Sequence, residues 1–186
     1  MNIVYIHGFA SSVKDSDPKY DALAAIGTVH PIAPDYTQPQ PNVMTLVEDF
    51  CLALGNVGLV IGTSMGGYTA SFIGNKLNIP FISLNPSIKP SSSLAKYQND
   101  YPTLKEVLST YPNFDTSNSR ILGKVFVNLG DDVINPNDTL AFMKTHGIEA
   151  VALECGGHRF SNIEEVIEDV KIFVHLTHFC LETPKG

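Results

Sequence analysis

Cysteine, basic side chains and long apolar runs are all scarce in this chain of 186 residues. Its three cysteines, Cys51, Cys155 and Cys180, stand far apart, with no C-x-x-C pair and no Cys/His ligand spacing. That argues against a structural zinc site and against a disulfide scaffold, and an odd, sparse count suits a reducing compartment. Lys and Arg number 12 against 19 Asp and Glu, a formal charge of −7. Binding nucleic acid normally needs a basic face, so no nucleic-acid partner is expected. No apolar stretch approaches the length of a membrane span. The first apolar run, Ile3-Val4-Tyr5-Ile6, has no basic segment before it and is too short for a signal-peptide core. The expected location is the cytoplasm. The length suits one domain, 1–186, whose core needs no disulfide or metal to hold it.

What is present is a rhythm. Short apolar runs at 3–6, 28–32, 57–61, 81–84, 124–129 and 150–153 read as strands, the second nearer an edge because of Pro31. Between them, segments near 17–26, 42–54, 65–76 and 137–145 read as helices. A last helix is predicted from Ser161 to about His178. There Ser161-Asn162-Ile163-Glu164 has the capping-box pattern, and Ile163, Val166, Ile167 and Val170 form one stripe. Alternating strand and helix implies a mostly parallel sheet with helices on both faces. Catalytic residues should then stand just after strands. Residues 86–119, rich in Pro, Ser, Asn and Tyr, break the rhythm. They read as an insertion over the site, not as a second domain.

Gly62-Thr63-Ser64-Met65-Gly66 follows the strongest strand and precedes a helix. That is the layout of a nucleophile elbow, in which a strained turn lifts a serine hydroxyl clear of the backbone. Small residues two before and two after the serine let strand and helix pass closely, and the helix N-terminus faces a developing oxyanion. The bland reading is a glycine-rich turn with an incidental serine. A phosphate loop is excluded, because neither GxxxxGK[ST] nor GxGxxG follows the strand. One oxyanion donor is expected at the N–H of Met65. The second is expected at Phe9, in the loop His7-Gly8-Phe9 after the first strand.

The acid should follow a later strand. Gly130-Asp131-Asp132 does, and Asp131 is favoured over Asp132 as nearer the strand end, although both could be turn formers. His158, after the strand at 150–153 and two glycines, is the base. His30 and His146 are out of place for that role. His175 and His178 lack an acidic or Cys partner for a metal. Cys155 lacks an elbow and reads as a small packed thiol.

His7-Gly8-Phe9 with Ser11-Ser12, Gly62-Thr63-Ser64-Met65-Gly66-Gly67-Tyr68, Leu84-Asn85-Pro86, Gly130-Asp131-Asp132-Val133 and Gly156-Gly157-His158 with Phe160 follow one another in this order. Together they resemble the small bacterial YqiA-type esterases, a branch of the α/β-hydrolases. The resemblance implies a compact α/β-hydrolase fold that begins directly at a central strand, without the usual leading hairpin. It implies hydrolysis of short- to medium-chain carboxylic esters, and it supports Asp131 as the acid. The chain departs in the loop before the histidine, where relatives often carry Asn in place of Gly157, and residues 86–119 show no clear match.

The expectation is therefore a serine esterase with Ser64, Asp131 and His158 as triad, Phe9 and Met65 as oxyanion donors, and no metal or cofactor. Its partner is a small acyl ester. Tyr97, Tyr101 and Tyr111 are candidates for the pocket wall or for surface packing. A thioesterase, peptidase or acyltransferase could use the same triad, and a non-catalytic binding protein could keep the same fold.

Overall fold

The computed structural model describes residues 1–182. Six parallel strands form one sheet: β1 (Asn2–Ile6), β2 (Thr28–Ile32), β3 (Val57–Thr63), β4 (Phe81–Leu84), β5 (Gly123–Asn128) and β6 (Glu149–Leu153). Their order across the sheet is β2-β1-β3-β4-β5-β6, with every neighbouring pair parallel. Pro31 is thus carried by an edge strand, as its missing N–H requires. The chain leaves β1 toward one edge and returns on the other side with β3. That reversal makes a switch point, and ligands bind in the crevice beyond the carboxyl ends of such strands.

Eight helices surround the sheet among the described residues: α1 (Pro18–Ala24), α2 (Gln40–Leu54), α3 (Met65–Leu77), α4 (Pro90–Ser93), α5 (Leu104–Leu108), α6 (Ser119–Leu122), α7 (Pro136–His146) and α8 (Ile167–Glu182). Alternate residues of each strand feed two cores. Val4, Ile6, Val60, Val125 and Val127 pack with Val47, Cys51, Tyr68, Ile73 and Met143 on one face. Ile3, Tyr5, Leu59, Ile61, Ile82 and Phe126 pack with Leu23, Val166, Val170 and Val174 on the other. No helix among the described residues is long and apolar enough to cross a membrane.

The 86–119 stretch holds α4, a 3-10 turn at Ala95–Tyr97 and α5, ending where α6 begins. Its Leu94, Leu104, Leu108, Tyr111 and Phe114 are buried in the first core. Tyr111 is therefore an interior residue, its hydroxyl donating to Gln38 O at 2.9 Å.

The capping box at Ser161 does not form. A 3-10 turn at Ile163–Val166 comes first, and α8 starts only at Ile167. The physical reason is the diversion of Asn162. Its amide donates to Asn128 Oδ1 (3.0 Å) and Cys155 O (3.2 Å), and its Oδ1 accepts from Asn128 Nδ2 (3.0 Å). The side chain beside the first turn is spent on tertiary bonds, and Glu165, not Glu164, reaches it. The apolar stripe survives, since Ile163, Val166 and Val170 are all buried.

Where β1, β3 and α3 converge, the backbone leaves no room for side chains. A methyl on Gly62 would fall on the backbone of Gly66, and one on Gly66 would fall on the carbonyl oxygen of Ile6. A methyl on Gly157 would meet nothing within 4 Å. Gly66→Ala is expected to cost about 3 kcal/mol of stability and Gly157→Ala less than about 0.5 kcal/mol, read from urea unfolding midpoints. Equal midpoints for the two variants would contradict the packing account.

Candidate active site

Ser64 stands between β3 and α3, as the residue before the helix, with φ 59° and ψ −120°, a conformation costly for any side chain-bearing residue. It persists because its surroundings hold both ends of the residue. Ser64 N–H donates to Leu84 O (2.9 Å), and its carbonyl accepts from the N–H groups of Tyr68 (3.0 Å) and Ser87 (3.2 Å). From Gly58 to Ser71 every residue except Ser64 is buried. The elbow thus presents one polar side chain to solvent at the switch point.

The loop after β1 lies against it. A methyl on Gly8 would come within 3.2 Å of Ser64 Cβ and 3.7 Å of Ser64 Oγ. Ala10 has φ 53°, which turns the loop back. Phe9 N–H makes no backbone hydrogen bond among the described residues. Met65, first residue of α3, has no carbonyl a turn earlier in its helix to receive its N–H. The Met65 N–H thus stands next to the serine at the positive end of α3.

His7 itself is a tie in this loop. Its buried ring bonds Tyr20 Oη of α1 through Nε2 and Ser11 Oγ (3.2 Å) through Nδ1. Its carbonyl accepts from Tyr36 Oη at 3.1 Å. Burial, the leading cause, pushes the imidazole below its ordinary value of 6.5, favouring the neutral ring.

Asp131 and His158 come together across 27 residues. His158 Nδ1 lies 2.9 and 3.0 Å from the two carboxylate oxygens of Asp131. One of those oxygens also accepts from the N–H groups of Val133 (2.8 Å) and Ile134 (2.9 Å). The carboxylate is thereby oriented before it meets the ring, and its side chain is 2% exposed against 17% for His158. Asp132 is exposed. Ser64 is not hydrogen-bonded to His158; the ring's hydrogen bonds among the described residues go to Asp131 alone.

Three asparagines that the motifs did not assign hold the histidine loop. Asn85 Nδ2 donates to the carbonyls of Gly157 (3.0 Å) and His158 (3.2 Å), and Asn128 Nδ2 donates to Gly157 O (3.1 Å). Asn162 secures Cys155 O. The signal available was weak: Asn85 in Leu84-Asn85-Pro86, and a lone Asn at the end of the apolar run of β5. Gly156 at φ 96° and the buried Phe160 at φ 53° shape the same loop. Gly156 could carry no side chain, because a methyl there would strike Asn162 and Asn128.

Three of the remaining four histidines are engaged elsewhere, and His175 is exposed on α8. His30 bonds Asn2, His146 bonds Phe142 O, and His178 bonds Gly58 O. No group of three His, Cys, Asp or Glu suited to a metal occurs among the described residues. Cys155 is exposed, not packed: it stands just past the end of β6, and only its carbonyl is tied inward, by Asn162. Cys51 is the buried thiol, and burial pushes it up to about 11. Two concavities of about 390 and 640 Å³ lie away from the serine, lined among others by Met44, Phe72 and Asn75 and by Met1, Tyr20 and Ile26.

A family model described as Uncharacterised protein family (UPF0227) matches residues 2–175. The UPF0227 protein YcfP of Escherichia coli O9:H4 (strain HS) is 27% identical over 179 residues, spanning 92% of this chain and 97% of that protein. Among solved structures, Est1E from Butyrivibrio proteoclasticus aligns with a TM-score of 0.69 at 17% identity, over 95% of this chain and 87% of that one. MGS-MChE2, an α/β hydrolase enzyme from the metagenome of sediments from the lagoon of Mar Chica, Morocco, aligns at 0.63 and 16% identity, over 94% and 89%. The fold is that of the α/β-hydrolases.

The buried His7 makes stability depend on pH. Its folded-state value lies below 6.5, so as pH falls the unfolded chain takes up this proton first. Below that value the unfolded chain binds more protons, and stability falls with pH. The urea midpoint is expected to drop between about pH 7 and about pH 5, and less steeply in His7→Gln. Parallel declines in the two proteins would exclude His7 as the source.

Proposed function

The chain belongs to the UPF0227 family and has the α/β-hydrolase fold, and we propose that it is a serine esterase acting on short- to medium-chain carboxylic esters. The observation that carries this reading is the bond between His158 Nδ1 and a pre-oriented Asp131, beyond the same strand ends as the elbow serine. In the proposed reaction Ser64 Oγ attacks the ester carbonyl carbon while His158 Nε2 takes the hydroxyl proton. The N–H groups of Phe9 and Met65 receive the negative charge on the carbonyl oxygen. The C–O bond to the alcohol breaks, and His158 returns its proton to the leaving oxygen. Water then attacks the acyl-enzyme, losing a proton to His158, and the acid departs as Ser64 is restored. Asp131 keeps the ring in one tautomer and stabilises its cation. This chemistry calls on no metal or cofactor.

In this reading residues 1–186 act as one unit, and 86–119 form a wall of the site. Phe9, whose N–H is the proposed donor, packs its ring on Tyr97 and Tyr101 at 5.2 and 5.1 Å between centroids. The insertion therefore bears directly on the oxyanion loop.

Wild type is expected to react with a fluorophosphonate probe and to turn over p-nitrophenyl acetate, with Ser64→Ala unlabelled and slower by at least about 1,000-fold. Asp131→Asn should lose about 10,000-fold in kcat and Asp132→Asn less than about twofold. Equal labelling of wild type and Ser64→Ala would overturn the assignment. Across p-nitrophenyl acetate to decanoate, Tyr97→Ala and Tyr101→Ala should shift the preferred chain length. An unchanged profile would remove the insertion from the pocket wall.

A further inference from the structure

We propose that Asn85 is a positioning residue that sets the histidine main chain against the serine elbow. The proposal rests on the reading of Ser64 as nucleophile and His158 as base. Asp131 orients the imidazole ring, but a ring can be well oriented and still stand in the wrong place. Its position depends on the loop that carries it, and that loop has two glycines before the histidine.

Asn85 lies one residue beyond β4, at φ 44°, and is 1% exposed. Every polar group of that side chain is used. Both Nδ2 hydrogens go to loop carbonyls, Gly157 O at 3.0 Å and His158 O at 3.2 Å. Oδ1 accepts the N–H of Asn128 at 2.8 Å, and the Asn85 N–H donates to Phe126 O at 2.9 Å. The amide therefore bonds β5 on one side and the histidine loop on the other. The preceding residue, Leu84, accepts the N–H of Ser64 at 2.9 Å. A single dipeptide, Leu84-Asn85, thus grips the backbone of the nucleophile and the backbone of the base.

No other described contact links the two so directly. Asn128 also reaches Gly157 O, and Asn162 reaches Cys155 O, but neither bonds His158 itself or the elbow. The unusual backbone of Asn85 follows from the task. A residue continuing β4 in extended form would aim its side chain to one face of the sheet. The left-handed turn, which asparagine tolerates better than most residues, turns it from the strand path.

The test uses two variants. Asn85→Gly keeps the left-handed backbone and deletes the clip, and Asn85→Asp keeps the shape and removes the NH₂ donors. Each is assayed with p-nitrophenyl acetate beside wild type and Ser64→Ala, with unfolding midpoints measured on the same samples. A displacement of the base by about 1 Å costs about 100-fold in rate. The expected result is a folded variant with kcat lower by about 100-fold and KM within about twofold of wild type. A residue that only stabilised the fold would lower the midpoint and leave kcat of the folded protein unchanged, and that result overturns the proposal. Failure of both variants to fold also overturns it, since Asn85 would then serve folding and not positioning. If Ser64→Ala retained wild-type turnover, the functional reading itself would fall. Ser64-dependent turnover with unaltered kcat in the Asn85 variants would sink the positioning role alone.

Discussion

Everything at the candidate site depends on how closely three pieces of backbone approach one another. β1, β3 and α3 meet where Gly62 and Gly66 face Ile6, with separations that no Cβ could occupy. That approach places Ser64 in its costly conformation and lets the loop after β1 touch it. A parallel α/β sheet makes it possible, because strand and following helix reverse direction within one residue. The strain is local, but the restraint is not. Leu84 O, Tyr68 N–H and Ser87 N–H, from three other positions, hold the serine where it is.

The second half of the site is held by hydrogen bonds, not by close packing. Asp131 is oriented by two backbone N–H groups and then bonds His158. Asn85, Asn128 and Asn162 occupy the carbonyls of the loop that carries the histidine. Buried amides such as those of Asn85 and Asn128 are costly when unpaired and rigid when satisfied. The result is a histidine loop that is glycine-rich in sequence yet tied at three of its carbonyls. The rigid elbow and the tied loop share the dipeptide Leu84-Asn85, which couples two mechanically different devices.

Local pattern was enough for much of this. The glycines around Ser64 announced a strand–turn–helix junction, since only small residues fit there. The alternation of apolar runs and helical segments announced a parallel sheet, and Pro31 marked an edge strand. Residues standing just past strand ends, Ser64, Asp131 and His158 among them, could be named because such sheets gather ligands at that edge. α8 starts later than the local pattern implies. Ser161-Asn162-Ile163-Glu164 satisfies a local capping rule, but Asn162 is drawn instead to Asn128, 34 residues earlier. Tyr111 gave no sign that it would be interior, and Cys155 none that it would be exposed. Burial of a single side chain in an irregular segment is decided by what packs over it.

The order of the chain therefore prescribes its strands, its elbow and the positions that face the crevice, because these follow from periodicity and from the steric demands of a few residues. It does not prescribe that Asn85 reaches His158, 73 residues away, or that Asp131 turns its carboxylate to the ring while Asp132 faces solvent. Those contacts arise from the register of β4, β5 and β6 and from the path of the loops beyond them. Register is a relation between segments, and only the assembled sheet contains it.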